Sequence, residues 1–127
     1  MDEPHVAHPG WWSGRLRSFG YAFRGLAICF RTQANARIHA VATVVAVMLG
    51  FALKLAAWEW CAVVLSIASV CVAECFNTAM EGVVDLVSPE RRPLAGRIKD
   101  LAAGAVLAAA IGAAVVGAVI FGPKLWG

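Results

Sequence analysis

Residues 101–121 run for 21 positions without one charged side chain, and no feature of the chain restricts its fold more. As a helix rising ~1.5 Å per residue, such a run spans a hydrocarbon layer of ~30 Å. A soluble fold of 127 residues has too small an interior to hide it. The composition, 61% hydrophobic and 15% charged, departs in the same direction from the roughly 45–50% and 25% of soluble domains. A water-soluble monomer, a disordered chain and a second autonomous domain are therefore excluded. The reading is an all-α integral membrane protein.

Two further spans fit the remaining sequence. One begins near Ile38 and reaches Lys54, whose ammonium can snorkel to the interface. The next opens with Trp58 and Trp60, residue types that anchor at membrane interfaces, and continues as helix to about Val87, where Ser88-Pro89 breaks it. Ahead of the spans, Leu16, Phe19, Phe23, Leu26 and Phe30 recur at steps of three and four, with Arg17, Arg24 and Arg31 on another face. That pattern predicts an amphipathic surface helix, phenylalanines among acyl chains and arginines toward anionic lipid or a phosphate-bearing ligand. The expected layout is a disordered tail over 1–13 and a single membrane domain over 14–127. Within that domain the surface helix covers 15–33 and the spans cover about 37–55, 58–87 and 98–121, with a polar loop up to Arg97.

Nine of the 11 basic residues lie either before the first span or between the second and third, leaving Lys54 and Lys124 for the other side. Positive charge kept inside then puts the N-terminus and the 88–99 loop in the cytoplasm and the C-terminus outside. No secretory signal is expected, because acids, prolines and two tryptophans precede any apolar region. The cysteines Cys29, Cys61, Cys71 and Cys75 form no CxxC pair and read as small hydrophobes. Small residues at four-residue steps in the last span, such as Gly104, Ala108 and Gly112, allow close helix contact.

The chemistry gathers on the second span. Glu74, Asn77, Glu81 and Asp85 are spaced three, four and four apart, which puts them on one helical stripe ~80° wide. Carboxylates at membrane depth each cost roughly 2.5–3.5 kcal/mol even on insertion scales, so a row of them calls for a function or for basic partners such as Arg37, Arg97 or Lys99. Lys99 and Asp100 open the third span at the same end as Glu81 and Asp85. That mixture suits a metal-bound polyphosphate, with carboxylate oxygens for Mg²⁺ and Lys and Arg for the remaining phosphate charge. Glu74, deeper, suits taking a proton from a buried hydroxyl. No GxxxxGK[ST] loop, kinase Gly-rich loop or HRD segment occurs, so phosphoryl transfer here requires a non-standard kinase.

The run ECFNTAMEGVVDLVSPERRPLAGRIKD, residues 74–100, resembles the signature of the prokaryotic diacylglycerol kinase family, which includes undecaprenol kinases. It combines E-x-x-N-[ST]-A-x-E-x-x-V-D with a trailing G-R-x-K-D. The flanking FGYAFRGL (19–26) and NARIHAVAT (35–43) resemble the family as well, so the likeness extends over about residues 15–121. It implies a homotrimer with a surface helix and three spans per chain, composite active sites shared between neighbours, and ATP and Mg²⁺ as donor and cofactor. Carried over by motif, Glu74 matches the catalytic base and Glu81 a carboxylate that binds the nucleotide's Mg²⁺. Lys99, Asp100, Glu90, Arg91, Arg92 and Tyr21 match nucleotide contacts, with Asn77 and Asp85 on supporting positions of the same site.

Two positions depart from the pattern. Gln33 stands where the family commonly has a second metal-binding glutamate; its amide oxygen can ligate Mg²⁺, but without a charge it binds more weakly. Gly14 stands where relatives have a phosphate-contacting base, leaving Arg15 or Arg17 to substitute. The expected partners are a membrane lipid alcohol, ATP and the bilayer, with no nucleic acid. Two other readings stay open at the level of sequence. One is a catalytically inactive family member serving as a membrane adaptor. The other is a small proton-coupled multidrug transporter, which accounts for Glu74 but not for the cluster of Glu81, Asp85, Lys99 and Asp100.

Overall fold

A computed structural model describes residues 10–127, and the described chain is four helices with no strand. In order these are α1 (Trp11–Thr32), α2 (Ala34–Ala52), α3 (Ala57–Val87) and α4 (Pro93–Trp126). The last three are long and apolar enough to cross a membrane. The expected architecture of one amphipathic helix and three spans is therefore the observed one.

α1 starts earlier than the expected position 15. Trp11 and Trp12, assigned to the tail by sequence, form its first turn, where Gly14 N–H donates to the Gly10 carbonyl at 3.1 Å and the Arg15 guanidinium stacks over the Trp11 ring at 4.8 Å. Residues 1–9 of the expected tail lie outside the described residues. Leu16, Phe19 and Phe23 stay exposed along the helix, the apolar stripe a headgroup-level helix offers to lipid. α1 stops at Gln33, whose backbone is extended (φ −105°, ψ 118°), and α2 sets off in a new direction one residue later. Arg31 in the last turn of α1 complements the negative end of the helix dipole.

The turn between α2 and α3 is built on a left-handed residue. Leu55 N–H reaches back to the Gly50 carbonyl at 3.1 Å and Lys54 N–H to the Phe51 carbonyl at 3.3 Å, a Schellman closure with Lys54 at φ 52°. Glycine is required at 50 for a different reason: a Cβ there would sit 2.6 Å from Cη2 of Trp60. Trp60 lies half-buried over Gly50 and beside Phe51, the two rings 4.8 Å apart. Below it Leu55, Val63 and Ile120 form a small buried core with Ile67, Val116 and Phe121.

The same end is tied by Glu59. One of its oxygens accepts the Ala56 N–H at 2.8 Å, capping α3, and the other lies 3.2 Å from Nζ of Lys124 at the end of α4. α3 and α4 pack against each other most extensively and are joined by residues 88–92 alone. The polar loop expected to run to Arg97 is thus shorter. Pro93 at the first helical position presets φ and lacks only an N–H that would have no partner there, so Arg97 and Lys99 sit on α4 itself. At ~1.5 Å per residue, the 31 residues of α3 and 34 of α4 exceed a hydrocarbon core of ~30 Å. Glu81, Asp85 and Lys99 lie toward their joined ends, where that surplus length has room to extend past the apolar layer.

Candidate active site

The stripe on α3 is graded by burial. Glu74 is 3% exposed, Asn77 is buried, Glu81 is half-buried and the Asp85 side chain is 66% exposed. Helical periodicity aligns the four, and the packing of α1 and α2 around the Glu74 end of the stripe sets the gradient. Each then finds a partner. Asn77 Nδ2 donates to Glu81 Oε1 at 3.3 Å, and Lys99 Nζ donates to Asp85 Oδ1 at 2.6 Å, bridging α4 to α3. Across from Glu74, His39 on α2 brings Nε2 to 3.4 Å from Oε1, within ion-pair reach but without an aligned hydrogen bond.

Among the described residues, two buried side-chain polar atoms take no hydrogen bond: Glu74 Oε1 and Asn77 Oδ1. A buried group left unmatched costs about 1–3 kcal/mol, so both mark where a substrate atom or a tightened contact belongs. A cavity of about 290 Å³ opens at this point between α1, α2 and α3, with Cys29, His39, Thr43, Val70 and Glu74 on its walls. Its lining is otherwise apolar, which excludes water from the carboxylate while leaving space for an alkyl-bearing hydroxyl. Behind Glu74, Thr78 Oγ1 donates to the Glu74 carbonyl at 2.8 Å and sits 3.7 Å from Cys29 Sγ, packing α1 onto the stripe.

Not every residue singled out by sequence reaches this cluster within one chain. Asp100 is exposed beside Lys99. Glu90 pairs with Arg92 in the connecting loop at 3.3 Å, both well exposed, and Arg91 is exposed between them. On α1 the Arg24 guanidinium lies 5.7 Å from the Tyr21 ring centre and Arg17 is exposed, while Gln33 is half-buried at the α1–α2 break. Among the described residues no hydrogen bond or ion pair joins Arg17, Tyr21 or Gln33 to the stripe. Nor do three His, Cys, Asp or Glu side chains gather as a metal cage among them. Glu81, with its half-exposed carboxylate held by Asn77, suits the alternative: a Mg²⁺ that keeps several waters and phosphate oxygens and needs only one or two protein carboxylates.

The approach of His39 to Glu74 was not foreseen from sequence. Its signal was a histidine early in an apolar span, at a depth where the neighbouring span carries an unpaired acid. The pairing of Glu59 with Lys124 was likewise not foreseen, since the charge pattern places Lys124 on one side of the membrane without naming a partner for it.

An all-helical membrane protein with a carboxylate row climbing from an apolar cavity to a basic-acidic rim defines a narrow class. The chain belongs to the prokaryotic diacylglycerol kinase family, which residues 20–121 match. Among its relatives, the undecaprenol kinase of Bacillus subtilis is 40% identical over 91 residues, covering 72% of this chain and 74% of that one. The diacylglycerol kinase of Synechocystis is 42% identical over 95 residues, which cover 74% of this chain and 54% of that longer one. The diacylglycerol kinase of Escherichia coli K12 is 33% identical over 94 residues, 74% of this chain and 77% of its own.

Proposed function

We propose that this protein is a Mg²⁺- and ATP-dependent lipid kinase that moves the γ-phosphoryl group of ATP to the hydroxyl of a membrane lipid alcohol, diacylglycerol or undecaprenol. The observation that carries this reading is the graded stripe. Its buried end presents a carboxylate to an apolar cavity, and its exposed end couples the Asp85 carboxylate to Lys99. One end suits a lipid and the other a nucleotide. Relatives named for each of the two alcohols support the acceptor class without choosing between them.

In this scheme Glu74 takes the proton as the alcohol O–H bond breaks and the new P–O bond forms, while ADP leaves with the bridging oxygen's electron pair. Asn77 orients Glu81, and Glu81 with Gln33 would hold the nucleotide's metal. Mg²⁺ there would supply charge neutralisation for the phosphate oxygens. Lys99, steadied by Asp85, adds a further positive charge beside them. Asp100, Glu90, Arg91, Arg92, Tyr21 and Arg17 contact the nucleotide. Positioning and electrostatics do most of the work in phosphoryl transfer, so little covalent machinery is needed.

Among the described residues no hydrogen bond or ion pair joins Gln33, Tyr21 or Arg17 to the stripe of their own chain, which supports sites completed by a neighbouring copy in a homotrimer. The distribution of basic residues supports an inner-membrane orientation with the N-terminus and the 88–92 loop in the cytoplasm and the C-terminus outside. The test is transfer of labelled phosphate from ATP in lipid-detergent micelles, with diacylglycerol and undecaprenol assayed side by side. Mg²⁺-dependent labelling of one or both is expected. Glu74→Gln should abolish turnover while MgATP still raises thermal stability, because binding the native form alone is enough to stabilise it. Failure to label either alcohol overturns the proposal.

A further inference from the structure

His39 enters α2 six residues after the break at Gln33, and the new helix direction carries its ring against α3. There Nε2 stands 3.4 Å from Oε1 of Glu74. That oxygen is buried and accepts no hydrogen bond. The other titratable groups lining the cavity are the thiols Cys29 and Cys71, and no second charged side chain lines it. The terminal torsion of a carboxylate is broad, so a carboxylate unheld at one oxygen turns freely, and a base that turns is poorly aimed. Hydrogen bonds in a substrate-free site are often long and tighten only when the substrates are bound. Closing 3.4 Å to the ~2.9 Å of a normal N–H···O bond takes a small movement of one ring.

We infer that His39 is a positioning residue for Glu74: its Nε2–H holds Oε1 as the site closes, which leaves Oε2 aimed at the acceptor hydroxyl. This rests on the reading of Glu74 as the base. It assigns the imidazole a specific tautomer, with the proton on Nε2 and Nδ1 bare. An amide at position 39 could make the same bond, whereas an aliphatic side chain could not.

The experiment compares wild type, Glu74→Gln, His39→Ala, His39→Leu and His39→Gln in micelles, measuring kcat and both KM values per folded enzyme. His39→Ala and His39→Leu are expected to lower kcat on the order of 10²-fold, the cost of a misaimed reacting group, with the KM for ATP unchanged. His39→Gln is expected to recover most of that loss. A merely structural role would lower the yield of folded protein and leave kcat per folded enzyme intact, and that result overturns the inference. Nitrogen NMR of histidine-labelled wild type keeps it falsifiable if the aliphatic variants do not fold. The chain has only 3 histidines, so the Nε2–H signal of His39 can be assigned, and it is expected to shift in Glu74→Gln; no shift, or a proton on Nδ1, overturns it. A fully active Glu74→Gln removes the base itself. An inactive Glu74→Gln beside an unimpaired His39→Ala removes only the role of His39.

Discussion

Lys99 Nζ lies 2.6 Å from Asp85 Oδ1, a single ion pair fastening the start of α4 to the C-terminal end of α3. Both side chains are substantially exposed, and pairs of that kind are worth about 0–1 kcal/mol after screening. Stability therefore gives little reason for the pair, and the binding of phosphate gives a better one. Asp85→Asn should leave the thermal midpoint nearly unchanged while raising the KM for ATP, since Lys99 then loses its anchor. Lys99→Met should raise it further and lower kcat. Enzyme kinetics beside a melting curve in the same detergent separates the two effects. Loss of folding in Asp85→Asn with normal kinetics in the survivors would make the pair a structural clasp.

Gly50 fits its place because Trp60 occupies the space a side chain would need. A Cβ at 50 would stand 2.6 Å from Cη2, 2.9 Å from Cζ2 and 3.1 Å from Leu55 Cδ1. Overpacking of this kind costs about 1–3 kcal/mol, against a gain of about 1 kcal/mol for replacing glycine by alanine in a helix. Gly50→Ala is expected to lose up to about 2 kcal/mol net, and Gly50→Val more. Trp60→Leu should relieve part of the loss in the double variant, which a double-mutant cycle of unfolding free energies would detect.

Periodicity within one helix is local information, and it was enough to align Glu74, Asn77, Glu81 and Asp85 before any fold was known. The uncharged run over 101–121 located the body of α4 for the same reason. The sequence reading starts α4 too late because the polar stretch up to Arg97 looks like loop. A helix that overhangs the membrane can carry charges on its wet end at no cost. The contact of His39 with Glu74 depends on the angle between α2 and α3, which is set by the turn at Lys54 and by the Trp60–Gly50 packing beside it. No spacing in the sequence encodes that angle. The link between Glu59 and Lys124 is hidden in the same way, by the pairing of two helix ends far apart in the chain.

Glu59 closes the opposite end of the bundle from the site. It satisfies the Ala56 N–H at the start of α3 and faces Lys124 on α4. Glu59→Ala removes a cap and strands an ammonium together, so it should lower the thermal midpoint more than Glu59→Gln, which retains an acceptor for the backbone. The site lies fifteen residues along α3, ~22 Å away as helix rise, so kcat per folded enzyme should match wild type in both. Equal melting of the two variants would show that the cap contributes nothing.

Gln33 and Glu81 make opposite predictions for the metal. Mg²⁺ affinity follows the number and charge of its oxygen ligands, and here one of the two proposed ligands is a neutral amide while the other is a carboxylate held at 3.3 Å by Asn77. Glu81→Gln removes the remaining charge and should raise the Mg²⁺ concentration for half-maximal activity about tenfold or more, with the KM for the lipid unaffected. Gln33→Glu adds a charge and should lower that concentration. If the ligands come from neighbouring copies, subunits carrying Glu81→Gln mixed with subunits carrying Gln33→Glu should yield a fraction of sites that pair the two intact wild-type ligands. Titrating activity against Mg²⁺ in the three preparations reads this directly. A Gln33→Glu protein whose Mg²⁺ requirement is the same as wild type would remove position 33 from the metal site and leave Glu81 to be tested alone.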